Sequence, residues 1–140
     1  MEKTGSAPDV ELALIQMSVC PDKAENLRRA ARLVAEAAAD GADVAVLPEM
    51  FCCEYRNRAF TENREPAGGG VWRALSDAAR ENHIYLVGGS MPEAEGDRTY
   101  NTSFVFDRRG RQIARHRKMH LFDIDVPGGQ SFQESRTFSA

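Results

Sequence analysis

The period of the apolar residues changes several times along this chain, and each change predicts an element. In residues 10–17, Val10, Leu12 and Leu14 fall on one parity and Ala13, Ile15 and Met17 on the other. Apolarity on both parities predicts a strand covered on both faces, hence a central one. Asp22 with Glu25 three residues later is a variant of the helix capping box, with an Asp oxygen placed to accept from first-turn amides. Leu27, Ala30, Ala31, Val34, Ala37 and Ala38 then recur at helical spacing, with Arg28, Arg29, Arg32 and Glu36 on the remaining surface. Gly41 is placed to end this amphipathic helix in a left-handed conformation.

Residues 44–47 predict a short buried strand. Pro48 has no N–H for the ladder, so Glu49 falls just past the strand's carboxyl end. In open α/β sheets that is the edge where ligands bind. Residues 51–70 read as irregular, with Pro66 and three successive glycines, and are long enough to suggest a functional loop. Residues 71–82 predict a second helix with Trp72, Leu75, Ala78 and Ala79 on one face, and residues 84–87 another apolar strand ended by Gly88-Gly89. Residues 100–106 and 111–115 flank Asp107-Arg108-Arg109-Gly110 and predict an antiparallel hairpin before Lys118. From there the chain reads as loop through Pro127, Gly128 and Gly129. Strands alternating with helices, then a hairpin, predict an α/β layered fold with a mixed sheet. No repeat, low-complexity tract or linker divides residues 1–140, so no domain boundary is placed among them.

Composition changes this picture little. A chain of 140 residues can bury roughly two thirds of its unfolded surface. The net charge of −3 gives no reason to expect nucleic acid or an anionic membrane as partner. No apolar run reaches membrane-spanning length, and Met1 to Asp9 carries no export signal. Three cysteines, two of them adjacent, form neither a disulfide framework nor a zinc spacing. A reducing cytoplasm is the expected location.

Two residues stand out chemically. Glu49, at a strand end among apolar neighbours, is expected to be desolvated, which favours its neutral form as a base near neutral pH requires. Lys118 follows a strand and precedes a loop, where its charge can steady an oxyanion. It is one of six basic residues from Arg108 to Lys118. For Arg108, Arg109 and Arg111 a solvated hairpin edge is the expected role. The run lacks the interleaved aromatics of a nucleic-acid patch. His116 and His120 have helical metal-pair spacing, but Arg117 stands where a metalloprotease has glutamate, and a packed or hydrogen-bonded His120 is expected instead. His83, between a helix and a strand, is read as structural. Gly68-Gly69-Gly70 and Gly88-Gly89 are read as turn glycines because neither run fits a P-loop or dinucleotide fingerprint.

Leu47-Pro48-Glu49 and Arg117-Lys118-Met119-His120-Leu121-Phe122-Asp123 resemble segments of the carbon-nitrogen hydrolase (nitrilase) superfamily. The run from His120 to Gly128, followed by Phe132-Gln133-Glu134-Ser135, resembles its ω-amidase branch. Gly41-Ala42-Asp43 and Tyr100-Asn101-Thr102 stand at family-typical places. The resemblance runs from about Val10 to the end. It implies one half of an αββα sandwich, with residues 1–140 as the amino-terminal half of the domain. It further implies Glu49 as general base, Lys118 as the lysine, Glu134 as a second glutamate orienting lysine and substrate, and a cysteine nucleophile beyond Ala140. Cys52 and Cys53, which precede the lysine, are not that nucleophile. The implied substrate is a small amide, a short dicarboxylic acid ω-monoamide, hydrolysed with release of ammonia. No metal or organic cofactor is implied, and the full-length protein is expected to be a homo-oligomer. Glu54 departs from the pattern: it stands where a proline is common, and an added negative charge near the mouth bears on acceptance of a carboxylate. Two alternatives stay open, another amidase or N-carbamoyl amine hydrolase of the superfamily, and a noncatalytic fragment that binds a partner through its unfinished sheet.

Overall fold

The computed structural model describes residues 9–140. The reading of Met1 to Asp9 as free of an export signal therefore lies, Asp9 apart, outside the described residues. The first strand, β1 (Leu12–Leu14), leads to helix α1 (Lys23–Ala39) and strand β2 (Val44–Val46). The Asp22 side chain caps α1 by accepting from the Glu25 N–H. Glu25 does not return the bond; its carboxylate pairs with Arg28 and Arg29. Gly41 takes φ +95°, the left-handed exit its position predicts.

A short helix, α2 (Asn57–Asn63), lies inside the stretch expected to be irregular. Its seven residues are too few to show a helical period, and burial of Phe60 against Phe138, with ring centroids 4.8 Å apart, holds it. Helix α3 (Gly70–Glu81) and strand β3 (Tyr85–Val87) follow, then β4 (Met91–Glu95), β5 (Arg98–Phe106) and β6 (Gln112–Arg117). Strand β4 was not expected from the sequence, because Pro92 and two glutamates mask it. The chain then forms a small hairpin of β7 (Asp123–Asp125) and β8 (Ser131–Gln133), and a 3-10 turn Glu134–Arg136. This hairpin replaces the expected loop. Its strands are three residues each, shorter than any alternation can reveal.

One mixed sheet carries the fold. Strands β1, β2 and β3 are parallel neighbours, and β5 joins β3 antiparallel. Strands β3 and β4 meet successive stretches of one side of β5, and β6 takes its other side. Thus β1 is an edge strand and not the central one expected. Its outward residues Leu12 and Leu14 are 56% and 73% exposed. Apolarity on both parities therefore does not place β1 in the middle of the sheet.

The two faces of the sheet differ. Toward the helices, Ala45, Leu86, Phe104 and Phe106 pack with Ala30, Val34, Leu75 and Ala79 into a buried core. On the opposite face Leu12, Leu14 and Tyr85 are exposed, and Val44, Val46 and Val87 are half-buried. No helix among the described residues is long and apolar enough to cross a membrane.

Candidate active site

At the carboxyl end of β2 the ladder continues one residue, with the Leu47 N–H donating to the Val87 carbonyl at 3.0 Å, and stops at Pro48. Met50 then adopts φ +52°, a strained value for a non-glycine residue, and its N–H is caught by Ser90 Oγ at 3.1 Å. Gly89 lies so close beneath that a Cβ would meet the Pro48 carbonyl oxygen at 2.1 Å. The glycine read as a turn residue is thus also a close-approach residue that lets the ends of β2 and β3 touch. Together these contacts set the path of the backbone on either side of Glu49.

Three charged groups from distant parts of the chain meet here. Lys118 follows the end of β6, where its N–H donates to the Asn101 carbonyl at 2.9 Å. Its Nζ lies 3.0 Å from Glu49 Oε1 and 3.0 Å from Glu134 Oε2. Glu134 opens the 3-10 turn after β8 and is fully buried. Its N–H donates to the Phe122 carbonyl at 3.1 Å, and its Oε2 accepts from the Phe122 N–H at 2.5 Å. The hairpin that sequence reasoning missed is therefore what carries Glu134 back to Lys118.

Burial alone would lower the Lys118 pKa, but the two carboxylates outweigh it and hold the ammonium above its ordinary range. Burial likewise works against the charged form of Glu134, and the Phe122 N–H, the Tyr55 hydroxyl and Lys118 together bring its carboxyl below the usual value. Both shifts favour charged partners. Glu49 differs from expectation: its side chain is 46% exposed, because it borders a cleft on the sheet face that the helices do not cover. That cleft has a volume of about 300 Å³ and is lined by Val46, Val87, Ser103, His116 and Lys118, among others.

Two further residues enter the cluster that the sequence did not single out. Tyr55 Oη donates to Glu134 Oε1 and lies 3.3 Å from Glu49 Oε1. Its ring is held edge-on to Phe60 at 5.1 Å and against Phe132 at 5.6 Å. Burial first, then the two carboxylates, push its hydroxyl pKa up, so it stays a donor. Asn101 Nδ2 donates to Glu49 Oε1 at 2.7 Å. The signal available was a buried amide inside a strand, since such a group needs a partner.

The remaining sequence candidates fall elsewhere. Cys52 and Cys53 are buried in the helix-side core, and the hydrogen bond that the Cys52 thiol shares with Cys53, as donor, together with burial pushes the Cys52 thiol up. His120, expected to be packed or hydrogen-bonded, is not packed: it is exposed, because the turn after Lys118 leaves it in solvent. Among the described residues no group of His, Cys, Asp and Glu is arranged to hold a metal. Arg108 is not merely solvated: it pairs with Asp43 at 2.5 Å and lies over the Tyr85 ring. Arg111 pairs with Asp107 at 2.7 Å. Glu54 is matched by Arg56 at 2.7 Å, which offsets its added charge.

An ammonium between two carboxylates, one buried and one bordering an open cleft, can accept a proton and stabilise a developing anion at one place. Known proteins agree with the fold. The sequence is 51% identical over 128 residues to the omega-amidase NIT2 of Danio rerio and 46% identical over 128 residues to that of Homo sapiens, covering 91% of this chain and 46% of each relative. It thus spans about half the length of these curated relatives. The structure is similar to that of Saccharomyces cerevisiae Nit3, a member of the nitrilase superfamily, with a TM-score of 0.78 and 34% identity, covering 93% of this chain and 48% of that one. It is also similar to the amidase from Nesterenkonia sp. AN1, with a TM-score of 0.73 and 26% identity, covering 89% of this chain and 47% of that one. The carbon-nitrogen hydrolase family matches residues 11–140, nearly the whole chain, and the chain belongs to that family.

Proposed function

We propose that residues 1–140 are the amino-terminal half of an amidase domain that hydrolyses short dicarboxylic acid ω-monoamides, with the nucleophilic cysteine carried by sequence beyond residue 140. The observation that carries this reading is the Lys118 ammonium 3.0 Å from both Glu49 and Glu134 at the mouth of a cleft. In this mechanism Glu49 takes the thiol proton and the thiolate attacks the amide carbon. Lys118 stabilises the oxyanion of the tetrahedral intermediate, and ammonia leaves with the proton from Glu49. Water activated by Glu49 then hydrolyses the thioester. Glu134 and Tyr55 hold the lysine and the base together, with Glu134 buried so that its charge cannot swing away.

Omega-amidase relatives near half identity support the substrate class. Another amidase or an N-carbamoyl amine hydrolase would use the same residues. A second reading, a noncatalytic assembly module, draws on the uncovered sheet face with Leu12, Leu14 and Tyr85 exposed. The test is ammonia release from a short ω-monoamide by the longer polypeptide. Glu49→Gln and Glu134→Gln are each expected to cut turnover about 100-fold with an unchanged circular dichroism spectrum. Full activity in either variant would refute the role given to that residue. The 140-residue chain alone is expected to be inactive, and turnover by it that survives Cys52→Ser plus Cys53→Ser would overturn the mechanism.

A further inference from the structure

We infer that Asn101 is a positioning residue that determines which oxygen of Glu49 handles the proton, namely Oε2. The kinetic part of this inference rests on the amidase reading above; the contact itself does not. Asn101 is 3% exposed in the interior of β5, where an amide without a partner would be costly. Its Nδ2 donates to Glu49 Oε1 at 2.7 Å, and its carbonyl accepts from the Lys118 N–H at 2.9 Å. One residue thus holds the base by its side chain and the lysine by its backbone. A shift of β5 moves both together, which keeps carboxylate and ammonium in register.

The two oxygens of Glu49 are not equivalent. Oε1 receives Asn101 Nδ2 at 2.7 Å and Lys118 Nζ at 3.0 Å, and Tyr55 Oη lies 3.3 Å from it. Among the described residues Oε2 accepts no hydrogen bond. An oxygen whose two lone-pair directions are taken by two donors, with a hydroxyl oxygen beside it, has none directed at another, so an incoming proton goes to the other oxygen. In the proposed reaction the S–H bond breaks, an O–H bond to Oε2 forms, and the electron pair stays on sulfur. The same proton then passes from Oε2 to the departing nitrogen. Asn101 and Tyr55 stop the carboxylate from rotating and exchanging its oxygens between these steps.

Two measurements test this. In the 140-residue chain, Glu49→Ala is expected to shift the side-chain amide NMR resonances of Asn101 and speed their hydrogen exchange; unchanged resonances would overturn the contact. In the longer polypeptide, Asn101→Ala and Asn101→Asp are each expected to lower kcat about 100-fold with KM nearly unchanged, as misplacement of a reacting group does. Lowering the pH is expected to restore part of the loss in Asn101→Asp only, because the introduced carboxyl, once protonated, donates as the amide did. Tyr55, Lys118, Glu134 and His116, which border the same site, are common to both variants, so the difference between them isolates position 101. Thermal melts near that of the parent show that the variants fold. Wild-type kcat in Asn101→Ala, or equal losses in both variants at every pH, would overturn the positioning role. If the unsubstituted polypeptide lacks amidase turnover while the NMR shift is present, the amidase reading fails and the Asn101 contact stands.

Discussion

Arg117 and Lys118 are neighbours in sequence and enter two ionic clusters of opposite design. Arg117 Nε lies 3.1 Å from Glu93 and its Nη1 2.9 Å from Glu95, while Arg115 reaches Glu93 at 2.5 Å. The Thr102 hydroxyl adds a bond to Glu93 at 2.7 Å, and the Arg117 guanidinium covers the Tyr100 ring. The buried Glu93 carboxylate is therefore saturated by two cations and a hydroxyl. In the other cluster one lysine serves two carboxylates, and Glu49 remains 46% exposed with an oxygen to spare. With its carboxylate saturated, the Glu93 cluster holds strands β4, β5 and β6 together, and its spare donor, Arg117 Nη2, is buried. An under-saturated one borders a cleft and can bind or move charge.

Lys118→Met is expected to have the largest effect on turnover. In the longer polypeptide it is expected to lower amide turnover by about 100- to 1,000-fold, as loss of an oxyanion-stabilising group does. A stability loss of several kcal/mol with near-normal turnover would erase the distinction between the clusters.

Glu93→Ala tests the other cluster. It leaves Arg115 and Arg117 without their buried partner and is expected to cost about 3 kcal/mol in urea unfolding. A loss below about 0.5 kcal/mol, the size usual for exposed pairs, would show that the cluster does not hold the sheet.

The pH dependence of stability sharpens the comparison. Glu134 is lowered from its ordinary 4.5, so its contribution is present above that value and is lost as pH falls through the lower folded value. Lys118 is raised from its ordinary 10.5, so its contribution is present below that value and is lost as pH rises through the higher folded value. A plateau across neutral pH is therefore expected in melting temperature. Glu134→Gln should flatten the acid side and Lys118→Met the alkaline side. Limbs that stay as steep in these variants as in the parent would assign them to other groups.

The smallest effect is expected for Tyr55→Phe, which keeps the ring on Phe60 and Phe132 but removes the hydroxyl that donates to Glu134 and lies beside Glu49. It should cost about 1 kcal/mol, read either as stability or as roughly a fivefold drop in turnover. No change in either would mean that Lys118, Asn101 and the Phe122 N–H hold the carboxylates without Tyr55.

What was legible in the sequence is what short-range physics encodes. The Asp22 cap, the helical repeat from Leu27 to Ala38, the Gly41 exit and the Pro48 stop are all decided within a few residues, and they stand in the structure. The mixed α/β sheet followed from the order of those elements. Glu49 and Lys118 stand out by their places at strand ends, Glu134 and the grouping of all three only by resemblance, since nothing local joins them. Lys118 meets Glu49 across 69 residues of sequence, and Tyr55 meets Glu134 across 79. Only the tertiary structure decided those meetings. It also decided that β1 lies at an edge, that a hairpin of two three-residue strands returns Glu134, and that Arg117 and Lys118 face opposite clusters. The reason is that period and capping act through neighbouring dihedrals and leave their mark on composition. The partner of a buried charge is set instead by sheet register, which depends on residues far along the chain.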